Sequence, residues 1–272
     1  MGSFRIKGFK LEFHLDKKDL LDRVSDPIFV EGLLGVGQVG LLASDYLVEE
    51  IESVKVGEVY SPHFSEPFRP GKIPGVVYSE EGMGILNRNE IFFIPGFDLF
   101  VYKGLYQGDY CEFYYRHANL MMDFCEDFKV NRVFTLGGLG VGMEKDEPNT
   151  RAVITDPVQE TAVEGHASVL KREKDRPGVT GLSGLLIGLA HKNDMEGISL
   201  LGETQGAFPD ARAAKSVLTS LTGILGIDVD LSGLDERAEE IDREKEKFRK
   251  RMKSMQRGER GKREPGDKRY VG

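Results

Sequence analysis

The chain lacks tryptophan altogether and has only two cysteines, Cys111 and Cys125, among its 272 residues. Two cysteines at this separation match neither a disulfide framework nor the spacing of a zinc site, so we expect buried free thiols in a reducing compartment. No apolar run approaches the length of about 18 residues that indicates a membrane span, and the first ten residues lack the apolar segment of a signal peptide. We therefore expect a cytoplasmic protein without membrane partners.

Signatures of catalysis and of metal binding are also missing. No pair of the five histidines has the spacing of a zinc-binding helix, and Ser183, in Gly181-Leu182-Ser183-Gly184, lacks the second glycine of a G-x-S-x-G nucleophile elbow at the right place. A lone histidine is more often a structural residue than a base, because a base needs a partner within hydrogen-bond reach. The sequence thus predicts no catalytic residue, no metal site and no cofactor.

Charge is unevenly distributed along the chain, whose net charge is -8. Residues 235–272 contain 14 basic and 10 acidic residues, whereas residues 1–234 contain 23 basic and 35 acidic ones. The acidic part argues against non-specific binding to nucleic acid, and the basic end could bind an acidic partner.

Glycine, by contrast, is abundant and clustered. An apolar run at Ile28–Val30 is followed by four glycines and then by an amphipathic pattern, which predicts a strand, a tight turn and a helix. The glycines are Gly32, Gly35, Gly37 and Gly40. The last three spell G-x-G-x-x-G, the pattern of a dinucleotide-binding loop. However, the acidic residue expected about 20 positions later would be Glu58, inside the predicted strand Val54–Tyr60.

Two interpretations of this segment stay open, a cofactor loop and a turn that lets a helix pack closely on a strand; we favour the second. A similar cluster, Gly137, Gly138 and Gly140, follows the apolar strand Val133–Leu136. We predict that both sets are packing turns at the carboxyl edge of one sheet. The segments Ile91–Ile94 and Phe97–Tyr102 read as strands paired around Pro95-Gly96. The alternation of strands and helices predicts a three-layer α/β domain with a mostly parallel sheet.

The last forty residues differ from the rest of the chain. We divide the sequence into a core at 1–234, a charged helix at 235–257 and a flexible basic tail at 258–272. Apolar residues of the helix recur on one face, which we expect to pack on the body or on another subunit of a homo-oligomer. They are Ile241, Phe248, Met252 and Met255.

Several segments together resemble the proteasome assembly chaperone family in its archaeal form. They are EGLLGVGQVG from residue 31, FTLGGLGVG from residue 134, GLSGLLIGLA from residue 181 and LLGETQGAFPDARAAKSVLTSL from residue 200. The resemblance extends over residues 28–241. It implies a phosphorylase/hydrolase-like fold without an established catalytic centre, and homo-oligomers that bind the proteasome core particle through its α subunits.

Relatives of this kind can end in a hydrophobic–Tyr–X motif whose tyrosine and carboxylate enter a pocket between α subunits. This chain ends in Arg269-Tyr270-Val271-Gly272, so the tyrosine is third from the end and follows an arginine. The resemblance implies that Tyr270, Val271 and Gly272 bind the partner. A polar tail with an incidental tyrosine is the alternative.

A different class of function also stays open, an enzyme that handles a nucleotide or nucleoside. Its candidate groups follow or lie in predicted strands, where α/β proteins gather ligands. They are Glu58, Asp156, Glu203 and His63, with Arg151 and Arg212 as the nearest candidates for a phosphate contact. We favour structural roles for these carboxylates.

Overall fold

The computed structural model describes residues 3–64, 76–78, 80–108, 110–171 and 178–261. Within these residues the strands are β1 (Ser3–Ile6), β2 (Phe9–Phe13), β3 (Ile28–Leu33), β4 (Val54–Tyr60), β5 (Val76–Tyr78), β6 (Gly84–Leu86), β7 (Arg88–Ile94), β8 (Leu99–Gly104), β9 (Arg132–Gly140), β10 (Thr150–Ile154), β11 (Ser168–Val169) and β12 (Glu196–Thr204). The helices are α1 (Lys17–Leu21), α2 (Val39–Glu50), α3 (Cys111–Asp127), α4 (Glu160–Val163), α5 (Gly181–Lys192), α6 (Ala211–Leu225) and α7 (Gly233–Gly261).

Ten strands form one sheet in the order β1-β2-β4-β7-β8-β3-β9-β12-β10-β11, and β5 pairs with β6 in a separate hairpin. The central strands β8, β3, β9 and β12 are parallel to one another. The flank from β1 to β8 is antiparallel throughout, and β10 is antiparallel to β12. The prediction of a mostly parallel sheet is therefore wrong, because the sheet is mixed. The predicted strand pair around Pro95-Gly96 is confirmed, since β7 and β8 are antiparallel with Ile94 opposite Leu99.

Helices cover both faces of the sheet, so the three-layer architecture is confirmed. Alternate residues of each strand point to opposite faces, and the strands are apolar on both. On one face, Phe29 of β3 belongs to a core with residues of α3 and α5. On the other face, Val30 belongs to a core with residues of α2, α6 and α7. Burial on both faces explains why the central strands read as continuous apolar runs.

A row of polar side chains crosses the central strands on the α3/α5 face. Tyr102 of β8 lies beside Glu31 of β3, Glu31 beside Thr135 of β9, and Thr135 beside Ser199 of β12. All four residues are completely buried. Buried polar groups normally have hydrogen-bond partners, but among these four the Thr135 and Ser199 hydroxyls have none within the described residues.

Helix α7 begins two residues before the predicted start of the charged helix and continues to Gly261. Its first turns are packed on the body, with Leu234 and Ala238 buried and Ile241 against the same core as α6. Ion pairs hold the first part of the helix on the body, including Arg212 Nη2 to Asp242 Oδ2 at 2.8 Å and Lys245 Nζ to Glu144 Oε1 at 2.7 Å. The first half of α7 is therefore part of the body.

Candidate functional site

A cavity with a volume of about 770 Å³ opens at one edge of the sheet. It lies where β3, β9 and β12 end, on the face covered by α3 and α5. Its lining includes Leu33, Gly137 and Leu201, one from each of these strands, and Ser183 near the start of α5. In open α/β sheets, ligands bind outside the carboxyl ends of the strands, so this is the position where a ligand is expected.

A buried acid lies directly beneath this cavity. Ser183 Oγ donates a hydrogen bond to Glu31 Oε2 at 2.9 Å, and the Leu33 N–H donates to Glu31 Oε1 at 3.2 Å. Burial raises the pKa of Glu31 from its ordinary value of 4.5 to about 7, although both hydrogen bonds act in the opposite direction. Glu31 can therefore change its charge near neutral pH while it stays inside the core.

A second polar group adjoins Glu31 across the sheet. The Tyr102 hydroxyl accepts a hydrogen bond from Asn89 Nδ2 at 2.8 Å and contacts His117 Nε2. His117 Nδ1 is 2.9 Å from the Gln107 carbonyl oxygen, which fixes the proton on Nδ1 and leaves Nε2 to accept from Tyr102. Burial lowers the pKa of His117 from 6.5 to about 4. The imidazole is thus neutral at physiological pH and positions Tyr102.

The glycine segments meet at the carboxyl ends of β3 and β9. Of the seven predicted turn glycines, only Gly35 and Gly37 lie between β3 and α2, and Gly37 has a left-handed φ of 61°. Gly40 lies in the first turn of α2. The prediction that all are in turns is wrong, because the other four lie inside strands that run further than their apolar residues indicate. They are Gly32 in β3 and Gly137, Gly138 and Gly140 in β9.

Close backbone contacts explain several of these glycines. A Cβ at Gly40 would meet the Leu136 carbonyl oxygen, and one at Gly138 would meet the Val36 carbonyl oxygen, both closer than real Cβ contacts. A Cβ at Gly37 would lie 2.7 Å from Thr204 Oγ1, and the Gly37 carbonyl accepts a hydrogen bond from the Asp210 N–H at 2.9 Å. The loop at Gly37 is thus in direct contact with the end of β12 and with the residue that precedes α6.

The strand carboxylates proposed for an enzyme lie apart. Glu58 on β4 and Glu203 on β12 are five strand spacings from each other in the sheet, which corresponds to roughly 24 Å. Burial raises the pKa of Glu203, but contacts with Lys145 and Arg151 outweigh it and lower the pKa below its ordinary value. Arg151 Nη2 lies 2.8 Å from Glu203 Oε1. Glu203 is thus a satisfied ion-pair partner.

Glu58 is similarly enclosed by partners at the other end of the sheet. Lys55 Nζ lies 2.9 Å and Arg88 Nε 2.7 Å from Glu58 Oε1, and the Tyr60 hydroxyl donates to Oε2 at 2.6 Å. Burial alone would raise the pKa of Glu58, but these partners lower it to about 2. The group is ionised at any physiological pH and is held by cations.

The remaining candidate groups also have structural partners. Asp156 caps a short 3-10 turn by accepting from the Val158 N–H at 2.9 Å, and His63 stacks on Phe113. Arg212 pairs with Asp242 of α7 rather than with a phosphate site. Cys125 is buried as expected, whereas Cys111 is exposed at the start of α3, which corrects the expectation of two buried thiols.

The described residues also lack the side-chain arrangements of a metal site and the helix of a membrane span. The described residues contain no group of three or more His, Cys, Asp or Glu side chains arranged to hold a metal ion. None of the helices in the described ranges combines the length and apolar character that a membrane span requires.

The apolar stripe of α7 is only partly covered. Ile241 packs on the body, whereas Phe248 is 52% and Met252 is 42% exposed. The Phe248 ring contacts Phe208 edge-on, with 5.9 Å between the ring centroids. The side chain of Met255 and all of Tyr270, Val271 and Gly272 lie outside the described residues.

Comparison with known proteins identifies the family of this fold. The profile of the PAC2 family matches residues 29–249. The chain belongs to the PAC2 family. The resemblance to archaeal proteasome assembly chaperones seen in the sequence is thereby confirmed.

Two solved structures and one further relative are similar to this chain over most of its length. Pyrococcus furiosus PbaB, described as an archaeal proteasome activator, is 32% identical with a TM-score of 0.77, over 90% of this chain and 100% of that one. PbaA of the same organism, described as an archaeal homolog of proteasome-assembly chaperone, shares the fold at 24% identity and a TM-score of 0.69, over 92% of this chain and 96% of that one. The Methanocaldococcus jannaschii protein MJ1210 is 28% identical over 236 residues, which cover 86% of this chain and 88% of that protein.

Sequence reasoning missed the Glu31–Ser183 pair and the cavity above it. The sequence pattern suggests Ser183 only as a candidate nucleophile and assigns no role to Glu31. The available signal was a single acidic residue inside the apolar strand Ile28–Leu33, because a charge in a buried strand needs a partner. That partner is 152 positions away, and only the fold reveals it.

Proposed function

We propose that this PAC2 protein is a non-catalytic interaction protein that binds the proteasome core particle or its α subunits. The observation that carries the proposal is the similarity to PbaB, whose 32% identity and full coverage exceed a likeness of fold alone. The strand carboxylates offer no competing catalytic arrangement, because they are paired with cations and lie apart. The proposal places the protein in the cytoplasm, without nucleic acid or membrane partners.

The shape of α7 supports such a role. The contact of Arg249 with Glu144 of the body is the last ion pair in the described residues that joins the helix to the body. The helix then continues for twelve residues to Gly261, which corresponds to about 18 Å. Residues 249–251 are all basic. A basic helix that extends from an acidic body can approach a negatively charged partner before any short-range contact forms.

We propose that Tyr270, Val271 and Gly272 supply the short-range contact. Several copies of this segment on one oligomer would bind together, so that weak single contacts add through effective concentration. We expect Tyr270→Ala to weaken binding to the core particle about tenfold or more for a multivalent oligomer. Folding and oligomeric mass should stay unchanged.

A pull-down or surface-binding titration with purified core particle tests this prediction. Tyr78→Ala serves as the matched control, because Tyr78 is 80% exposed on the β5–β6 hairpin. The affinity of the wild-type protein should fall as salt screens the basic helix. Equal binding by Tyr270→Ala and wild type at low and physiological salt would show that this segment is not the anchor. No binding by the wild type would refute the proposed function itself.

We further propose that the protein is a homo-oligomer and that the exposed part of the α7 stripe contacts a neighbouring subunit. Light scattering should give a multiple of the 30.4 kDa chain mass at micromolar concentration. The double variant Phe248→Ser/Met252→Ser should lower that mass, because it removes the half-exposed apolar side chains. Lys250→Ser, which changes a 73% exposed side chain of the same helix, should not. A wild-type mass of 30.4 kDa would contradict the proposal.

A further inference from the structure

The cavity at the ends of β3, β9 and β12 has no part in the proposed contact with the proteasome. It lies on the α3/α5 face of the sheet, whereas α7 packs with α2 and α6 on the opposite face. Its volume of about 770 Å³ falls within the range of small-molecule sites, roughly 300–1,000 Å³. The cavity therefore requires an explanation of its own.

The walls of this cavity are suited to an uncharged ligand. None of the described residues that line it carries a charged side chain. Most of the wall is aliphatic or glycine backbone, and Tyr114 and Tyr115 of α3 add aromatic surface. Transfer of a charged group from water to such surroundings is costly unless an opposite charge or several hydrogen bonds compensate it.

One polar group of the lining is held ready to accept a hydrogen bond. While Glu31 is ionised, the Ser183 hydroxyl proton is donated to Glu31 Oε2, so the lone pairs of Ser183 Oγ remain for a ligand. By comparison, both the nitrogen and the oxygen of the Gln107 side-chain amide already form hydrogen bonds within the protein. Its Nε2 donates to the Leu34 carbonyl at 2.6 Å, and its Oε1 accepts from the Leu182 N–H at 3.1 Å.

We propose that this cavity binds an uncharged, largely apolar aromatic molecule that donates a hydrogen bond to Ser183 Oγ. The aliphatic walls supply the contact area, Tyr115 covers the ring at the mouth, and Ser183 fixes the orientation. Such a lining, apolar with a few convergent polar groups, is the usual composition of a small-molecule site. The proposal does not depend on binding to the proteasome and is tested on the isolated full-length protein.

Three indole derivatives provide matched probes: neutral indole-3-ethanol, anionic indole-3-acetate and cationic tryptamine. The protein has no tryptophan, so all indole emission in a titration comes from the probe. We expect saturable binding of indole-3-ethanol with one molecule per chain. The two charged probes should bind about tenfold more weakly or not at all, because the lining offers no counter-charge and the acid beneath it, Glu31, is completely buried.

Two variants localise the binding. Ser183→Ala should weaken indole-3-ethanol about fivefold through loss of one hydrogen bond. Tyr115→Ala should also weaken it, and since Tyr115 is 55% exposed, this second variant should fold normally even if the first does not. Tyr78→Ala again serves as the control and should bind like the wild type. Absence of saturable binding, equal affinity for all three probes, or wild-type affinity in both cavity variants would overturn the proposal.

Discussion

Replacing Gly40 by alanine is expected to lower the free energy of unfolding by about 3 kcal/mol, at the upper end of overpacking effects. The added Cβ would meet the Leu136 carbonyl oxygen of β9 and lie 3.1 Å from the Leu33 carbonyl oxygen of β3. Both atoms belong to the backbone of paired central strands, so neither can move without disturbing the sheet. The steric cost should exceed the gain of about 1 kcal/mol that alanine brings to a helix.

Gly188→Ala provides the matched control for this prediction. Gly188 also lies in a helix, α5, but a Cβ at this position meets no atom within 4 Å. This variant should be more stable than the wild type by about 0.5–1 kcal/mol. Urea denaturation of both variants measures the difference. If Gly40→Ala were as stable as Gly188→Ala, the close packing of α2 on β9 would be wrong. If it kept full stability but lost affinity for a nucleotide, the alternative of a cofactor loop would be favoured.

The sequence predicts the central layer of the fold well, because apolar runs, glycines and helical patterns are local signals. Strand β3, the following turn and α2 lie where the pattern of residues 28–50 places them. The antiparallel flank is harder to predict from the sequence, because strand direction depends on the connections between elements. The tight turn at Pro95-Gly96 is a local signal of strand direction, and there the prediction is confirmed.

The glycines of β9 illustrate a second limit. Glycine is depleted in strands, so a strand was predicted to end at Leu136. The structure continues β9 to Gly140, because β12 pairs with it as far as Thr204 and neighbouring backbone occupies the space of a Cβ at Gly138.

The candidate site was not predictable for a similar reason. Its two polar residues, Glu31 and Ser183, come from distant segments that only the folded chain brings together.

The second large effect concerns the dependence of stability on pH. The buried groups Glu31 and His117 should make opposite contributions between about pH 4.5 and 6.5. The pKa of Glu31 rises from 4.5 to about 7 on folding. Between these values the folded state keeps the proton that the unfolded state has released, so Glu31 makes the protein less stable as the pH rises.

His117 acts in the other direction. Its pKa falls from 6.5 to about 4 on folding, so between these values the unfolded state binds the proton that the folded state excludes. The contribution of His117 to the free energy of unfolding therefore rises with pH. Each change in pKa of about 2.5 corresponds to about 3 kcal/mol of unfolding free energy. Because the contributions of Glu31 and His117 have opposite signs, they should nearly cancel. Glu58, whose pKa is lowered to about 2, changes the free energy of unfolding mainly at lower pH, between its folded and unfolded pKa values.

Single variants should therefore show a slope of unfolding free energy against pH that is nearly absent in the wild type. Glu31→Gln should become more stable, by about 2 kcal/mol, as the pH rises from 4.5 to 6.5, because the opposing contribution of Glu31 is removed and that of His117 remains. His117→Gln should lose stability overall, since Tyr102 loses a partner, and should show the opposite slope. The double variant should again be nearly flat. Urea denaturation across this pH range measures the four slopes, which are independent of the overall stability of each variant. If Glu31→Gln had the same slope of unfolding free energy against pH as the wild type, Glu31 would not titrate inside the core. The account of a buried acid beneath the cavity would then be wrong.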